Sequence, residues 1–559
     1  MKTNSNVIDV DILIIGGGSA GAMAAIRAKE LDPGQRVAVF EKGDILYSGC
    51  IARGMDALNI VAVPGISTPE LYVEANRMSC EGVMDEPPSY RMAQRSWDVL
   101  KLLEKWDVCF PTDANGNYEV LKVHPKGRFA VTMKEPELKA ILARRLMEQG
   151  VKVFNRTMAI DLLKEDERVA GAVGFNIRTG ERLICRSPAV ILSAGGTARF
   201  GLPNNGYLYG VYDFPGNTGD GYCLGYRAGA KLSGFEYTIV YYIIKDINAP
   251  LLYITMTRGA RLLDPQDVDL PDAHVSIKGM LEQHRKNRGP LRIRMSHLTE
   301  EKISEIEGIL FTTERPVMER FFKGRDVNFR SGDIELWPTE CYLCGGHGLT
   351  GIMVNDRAET AVPGLYAAGD TSLVARGHLS GAFVFGQFAA ESATAYARTA
   401  GRPSVDPDQV DRALKGRISS LTEQGNGSVS IEEFEYKVRR HINDYISPPK
   451  NEYKLNRALW WMDRFENELK SGLVRIKSEH DLFKAFEIEN IILSARLAAT
   501  ASLERRETRW APWHFRSDYP EKGGDEWIKH IVLTKGETPA DVTVSYQAVE
   551  RMALPEASE

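Results

Sequence analysis

Residues 10–41 read VDILIIGGGSAGAMAAIRAKELDPGQRVAVFE. The apolar, largely β-branched run from Val10 to Ile15 has the makeup of a short strand buried on both faces. Gly16-Gly17-Gly18-Ser19-Ala20-Gly21 follows at once, then helix formers from Ala22 to Leu31, the breaker Asp32-Pro33-Gly34, and a second strand, Val37 to Phe40, that ends at Glu41 and Lys42. Gly16 permits the tight turn, Gly18 lets the backbone approach a pyrophosphate, and Gly21 lets helix and strand close on each other. Ser19 and Ala20 open the helix, where free N–H groups and the positive dipole end attract phosphate. Glu41 stands where a carboxylate accepts hydrogen bonds from ribose hydroxyls. A glycine turn alone is weak evidence, but strand, turn, helix, strand and acid in this order predict a dinucleotide-binding unit.

The chain of 559 residues exceeds the roughly 250 to 300 that one core supports, so about two to four domains are expected. Hydrophobic residues at 43% and charged residues at 26% are ordinary globular usage, which excludes a disordered or fibrous chain. A formal charge of −5 with no long block of one sign speaks against nucleic-acid binding. No stretch reaches the ~18 to 20 apolar residues of a membrane span. No charged region precedes an apolar run at the start, which predicts no export signal, no membrane insertion and a cytoplasmic protein.

Seven cysteines, of which only Cys341 and Cys344 are neighbours, suit reduced thiols rather than a disulfide framework. A four-iron cluster needs about four cysteine ligands in a run. One CxxC pair falls short, so no metal site is expected here, and any iron and sulfur belongs on another polypeptide.

Three later segments choose among dinucleotides. Val190-Ile-Leu-Ser-Ala194-Gly195-Gly196 is a strand running into small residues, Asn217-Thr-Gly-Asp220-Gly221 opens a helix, and Gly364-Leu-Tyr-Ala-Ala-Gly369-Asp370 is a strand with a terminal acid. Together with the opening unit, this set resembles the fumarate reductase and succinate dehydrogenase flavoprotein superfamily, in which all four segments surround one extended FAD. The resemblance implies an α/β fold with a Rossmann-like, discontinuous FAD-binding domain at 1–240 and 351–405. It further implies an inserted α+β capping domain at 241–350. After the linker Arg402 to Pro407, apolar residues at spacings of three and four predict a C-terminal helical domain at 406–559. By the same resemblance Asp370 binds the ribityl chain, and the backbone of Ser380, Gly381 and Ala382 faces the isoalloxazine. The segment Ser48-Gly49-Cys50 sits where covalent members carry a flavin-bonded histidine; Gly49 has no nucleophile, so the FAD is expected to be non-covalent.

Within that superfamily the chain is most similar to the α subunit of dissimilatory adenylylsulfate reductase. Glu507-Thr-Arg-Trp510 and Phe515-Arg-Ser-Asp-Tyr-Pro520 look like that family's C-terminal signature, although such an aromatic and basic mix also suits a packed surface segment. Gly377-His378-Leu-Ser-Gly-Ala382 resembles the run beside the flavin, which makes His378 the leading proton carrier, since histidine titrates near neutral pH. Asn59 falls at the family's active-site asparagine. His347, in Gly345-Gly346-His347-Gly348, is a second proton donor or a turn histidine.

The departures are equally specific. Ile243 and Tyr212 stand where the family has a substrate-binding arginine and a tryptophan near the flavin, and Cys341 stands where fumarate reducers have a histidine. Arginine's permanent charge and bidentate fork are not replaceable by isoleucine. Arg258, Arg261 and Arg376 are the remaining cations near site segments and the candidates for anchoring a substrate, Arg258 being counted with the catalytic residues, although surface or structural pairing is the commoner fate of any one of them. The uncharged run Ile239 to Ile244, with Tyr253, points to a less anionic, partly apolar substrate or to a buried strand. The expected function is FAD-dependent oxidoreduction between a small molecule and a ferredoxin-like iron–sulfur β subunit in a hetero-oligomer. A non-catalytic electron-transfer subunit and a soluble fumarate reductase-like enzyme stay open as alternatives.

Overall fold

The computed structural model describes residues 6–124, 126–205, 213–247, 249, 251–271, 274–314, 317–422 and 427–553. Five parallel strands form the central sheet: β1 (Ile12–Ile15), β2 (Val37–Glu41), β3 (Lys152–Asn155), β4 (Ala189–Leu192) and β5 (Leu365–Ala367), in the order β5-β4-β1-β2-β3. Alternation along β1 explains its unbroken apolar run. Ile12 and Ile14 pack with helices α1 (Ser19–Leu31) and α2 (His378–Ala397) on one face. Leu13 and Ile15 pack on the other with an antiparallel-dominated sheet built from Asn6–Asp9, Thr157–Glu165, Arg168–Asn176 and Arg182–Arg186. Both faces are therefore covered, as a parallel sheet requires.

All five strands point the same way, so their carboxyl ends share one edge, where ligands of such sheets bind. The turn after β1 is fixed by close approach. Gly16 adopts φ +97°, and a Cβ there would lie 2.4 Å from the Ser193 carbonyl oxygen; a Cβ on Gly21 would lie 1.9 Å from the Gly16 carbonyl oxygen. Only glycine fits either place.

Between β4 and β5 the chain builds a separate antiparallel sheet of Tyr242–Ile244, Ile334–Pro338, Leu291–Arg294 and Arg261–Leu263. Its own core contains Ile244, Leu262, Met280, Ile293 and Leu336. Helices follow β5 at Pro407–Thr422, Ile431–Tyr445, Glu452–Lys470 and Glu479–Glu504. The last is buried nearly all round, consistent with its run of alanines and aliphatic residues. Among the described residues no helix is long and apolar enough to cross a membrane.

The chain beyond Arg505 departs from the helical reading of 406–559. Lys529–Lys535 and Val542–Ala548 form an antiparallel hairpin that extends the short strands Leu232–Ser233 and Gly351–Ile352. The signature is interior at Glu507–Trp510, His514 and Arg516, whereas Ser517–Pro520 is exposed. Arg505 donates to Glu236 (2.8 Å) and Glu507 (3.0 Å), Arg509 to Glu507 (2.6 Å), and Arg516 to Asp518 (2.8 Å). The Trp510 indole N–H donates to the Cys80 carbonyl at 2.7 Å, which ties this segment to the helices after β2.

Removing one partner of a buried ion network leaves the other charges uncompensated, at a cost of about 3 to 5 kcal/mol. Arg505→Leu strands Glu236, which is 1% exposed, leaves Glu507 with Arg509 as its ion-pair partner, and is expected to lower the thermal midpoint sharply. Wild-type stability in a melting experiment would contradict a structural role for this network.

Candidate active site

A cavity of about 770 Å³ runs from the start of α1 along the carboxyl edge of the central sheet to the inserted sheet. At the nucleotide end the Glu41 carboxylate accepts the Gly17 amide at 2.8 Å and the Gly43 amide at 2.6 Å, so the turn and the acid fix each other. Space is open where a Gly18 Cβ would point, and Gly18 is also the residue from which α1 starts. Lys139 donates to the Gly17 carbonyl, and burial lowers its ammonium to about 8. The Ser48 hydroxyl in the cavity wall is buried without a partner among the described residues. A helix N-terminus, a glycine approach, a fixed ribose-height carboxylate and an unsatisfied hydroxyl fit a dinucleotide's phosphates and ribose.

Lys42 is a clamp between distant segments. Its ammonium donates to Asp220 (2.6 Å), Thr218 (3.0 Å) and Glu487 (3.1 Å). Asp220 also accepts from Thr218 and from Asn490. Charged partners outweigh burial and keep the lysine's affinity for its proton raised. The C-terminal helix Glu479–Glu504 thus closes the wall of the nucleotide end.

At the other end, three imidazoles stand in a row. The His378 ring centroid lies 5.2 Å from that of His347 and 5.9 Å from that of His124. His378 opens α2 with φ +50°, and its amide donates to the Gly346 carbonyl at 3.1 Å. Burial, helped by the neighbouring His347 and Arg376, pushes its imidazole well below the ordinary histidine value. It is therefore neutral at pH 7, and its Nε2 has no partner among the described residues. His124 Nε2 is 3.1 Å from the Asn59 Oδ1, and burial lowers this imidazole to about 4. His347 Nε2 lies 3.7 Å from Asp213. Asp370, half-buried near the buried Asp213, has its carboxyl raised to about 6, chiefly by desolvation. Tyr241, Ile243, Leu252, Tyr253 and Ile277 of the inserted domain complete the wall, with the Tyr253 hydroxyl donating to Asp56 at 2.7 Å.

Most residues singled out from sequence meet here. Gly16, Gly18, Ser19, Ala20, Glu41, Lys42, Ser48, Gly49, Cys50, Asn59, Ala194, Gly195, Asn217, Asp220, His347, Gly369, Asp370, His378 and Ala382 line the cavity. Gly21 instead packs on Gly16, a Gly381 Cβ would point at the Met92 sulfur 3.0 Å away, and Ser380 is fully buried off the cavity. Arg258 is drawn away by Glu305 (2.8 Å) and the Ile254 carbonyl, and Arg261 pairs with Asp269. Cys341 is buried beside Asn443, outside the wall. Tyr212 lies outside the described residues. Sequence reasoning missed His124, Asp56 and Asp213, which no spacing motif marks; tertiary packing alone brings them in.

Fold and site together define an α/β redox protein that carries a dinucleotide cofactor. A family model described as FAD binding domain matches residues 11–384, and one described as Fumarate reductase flavoprotein C-term matches residues 435–558. The chain belongs to the fumarate reductase and succinate dehydrogenase family of FAD-dependent oxidoreductases. It is 25% identical to an uncharacterized FAD-dependent oxidoreductase of Methanocaldococcus jannaschii, over 94% of this chain and 96% of the relative. It is also 25% identical to one of the subunits of the fumarate reductase (CoM/CoB) of Methanothermobacter marburgensis, over 96% and 99%. The structure of adenylylsulfate reductase from the hyperthermophilic Archaeoglobus fulgidus superposes with a TM-score of 0.88 at 22% identity, covering 100% of this chain and 98% of that one.

The depressed value of His124 links the site to folding. The unfolded chain takes up this proton below about 6.5 and the folded one only below about 4. Stability contributed by the neutral ring is therefore complete above the unfolded value and falls as pH drops through that window, by at most roughly 3 kcal/mol at its lower end. His124→Gln is expected to flatten the decline of the thermal midpoint between pH 6.5 and 4, and an unchanged slope would show that His124 is protonated in the folded protein.

Proposed function

We propose that the chain binds one FAD non-covalently and passes electron pairs between a partly apolar small molecule and an iron–sulfur protein. The observation that carries this reading is the single cavity joining the Glu41 turn to His378. When bound, FAD supplies the group that accepts or donates the electron pair.

The chain's own residues do the rest. The α1 N-terminus and the Gly16–Gly18 turn hold the diphosphate, Glu41 holds a ribose, and Asp370 at the end of β5 meets the ribityl chain. Gly49 presents no nucleophile to the flavin. The neutral His378 takes the substrate proton at Nε2 during oxidation and returns it during reduction, with Asn59–His124 and His347–Asp213 fixing the rings on either side. Aliphatic and tyrosine side chains of the inserted domain cover the substrate and keep water out.

Adenylylsulfate and dicarboxylates are disfavoured as substrates by Ile243, which lines the cavity and offers no charge to an anionic ligand. A separate electron carrier is supported by the cysteines: all seven are free, and only Cys341 and Cys344 are close in sequence. The methanogen relative is likewise named as one part of a multi-subunit enzyme. A ferredoxin-like β subunit in a cytoplasmic hetero-oligomer fits these facts.

Acid precipitation is expected to release all yellow colour into the supernatant as FAD; colour retained in the pellet would refute non-covalent binding. His378→Ala should keep the flavin content but slow anaerobic flavin reduction by the substrate about a hundred- to ten-thousandfold, the range for a lost general acid or base. Equal rates in the two proteins would remove His378 from the proton path. Turnover by the purified chain with oxygen or NADH as sole partner would contradict the iron–sulfur assignment.

A further inference from the structure

The buried arginines Arg182, Arg439, Arg496, Arg505, Arg509 and Arg516 each meet a carboxylate: Asp411, Glu435, Asp463, Glu236, Glu507 and Asp518 respectively. Uncompensated charge inside a protein is expensive, so this is the expected pattern. Arg376, half-buried in the cavity wall, departs from it. Its guanidinium lines the cavity and lies beside the phenols of Tyr237, Tyr241 and Tyr72 and the Cys80 thiol. It pairs with no carboxylate among the described residues, and its Nε is buried without a hydrogen-bond partner.

The side chain is held there by its backbone. The Arg376 amide donates to the Gly348 carbonyl at 3.0 Å, its carbonyl accepts from the Tyr72 hydroxyl at 3.3 Å, and Asn76 donates to the preceding carbonyl at 2.8 Å. Two other permanent cations line the cavity, and both are neutralised: Lys42 by Asp220 and Glu487, and Arg199 by Glu435 and Glu487. Acids near the imidazole row are Asp56, Asp213 and Asp370. The redox end thus offers, among the described residues, one cation without a carboxylate and several acids that repel a second anionic group.

We propose that Arg376 binds a single carboxylate-type anionic group of the substrate, whose remaining body is apolar and lies against Tyr241, Ile243, Leu252 and Ile277. This rests on the reading of the cavity as the substrate and flavin site, and deepens it. Arg376 takes over the anchoring that Ile243 cannot perform, from a different element and for a ligand of lower charge. A dicarboxylate would bring its second charge against aliphatic groups and acids.

The test uses the FAD-loaded chain and three probes followed by flavin difference absorbance: benzoate, its neutral isostere benzamide, and succinate. Benzoate is expected to bind at least about tenfold more tightly than benzamide or succinate. In Arg376→Met, benzoate affinity should fall at least about thirtyfold, which is about 2 kcal/mol at 1.4 per decade, while benzamide affinity stays unchanged. Arg376→Lys should keep part of the preference for benzoate.

Unchanged benzoate affinity in Arg376→Met would overturn the proposal, as would tighter binding of succinate than of benzoate. A lowered flavin midpoint potential in Arg376→Met with benzoate binding intact would give the guanidinium to the reduced flavin instead, and would also overturn it. Should Arg376→Met fail to fold, the wild-type preference for benzoate over benzamide and its weakening in Arg376→Lys decide the matter alone. A wild-type chain that takes up no FAD sinks the underlying reading, whereas one that binds FAD but shows no charge preference sinks only this inference.

Discussion

The site is arranged around one close approach: the start of α1 against the end of β1. With no Cβ at Gly21, the first turn of the helix touches the Gly16 carbonyl, and any side chain there would separate the two. That contact aims the helix N-terminus along the carboxyl edge of the sheet. Glu41, fixed by the amides of Gly17 and Gly43, then stands beside the same turn. Backbone geometry, more than side-chain charge, makes the nucleotide end.

The redox end obeys a different constraint. Its groups are buried or half-buried together, and desolvation shifts their affinities for protons. His378 and His124 are kept neutral and Asp370 is raised toward the neutral form, each mainly through desolvation. A neutral imidazole with a free ring nitrogen can exchange a proton at pH 7 without first losing one. The same desolvation makes an arginine without a carboxylate informative, because the guanidinium stays charged under any such pressure.

The C-terminal part joins the two ends. Glu487 reaches Lys42 at the nucleotide end, while the 505–518 ion network and Trp510 hold the final segment against the helices after β2. The Lys42–Glu487 and Cys80–Trp510 links each span more than four hundred residues of sequence. They make the last third of the chain a wall of the site as well as a helical appendage.

The sequence by itself determined the β1–α1–β2 unit, because an apolar strand, a glycine turn and a terminal acid are local features whose physics is complete within about thirty residues. It likewise marked the strand ends at Ala194 and Asp370, the helix-opening Asp220, and His378. The hairpin at 529–548 is missed, although Val542 to Ala548 alternates apolar and polar residues, because the helical spacing before it is extended to the end of the chain and the strands it joins, Leu232–Ser233 and Gly351–Ile352, lie far away in sequence. Only the tertiary structure set His124 beside His378, drew Arg258 off to Glu305 and left Arg376 in the cavity. A side chain's charge state and partner depend on what packs against it from distant segments, and no spacing rule encodes that.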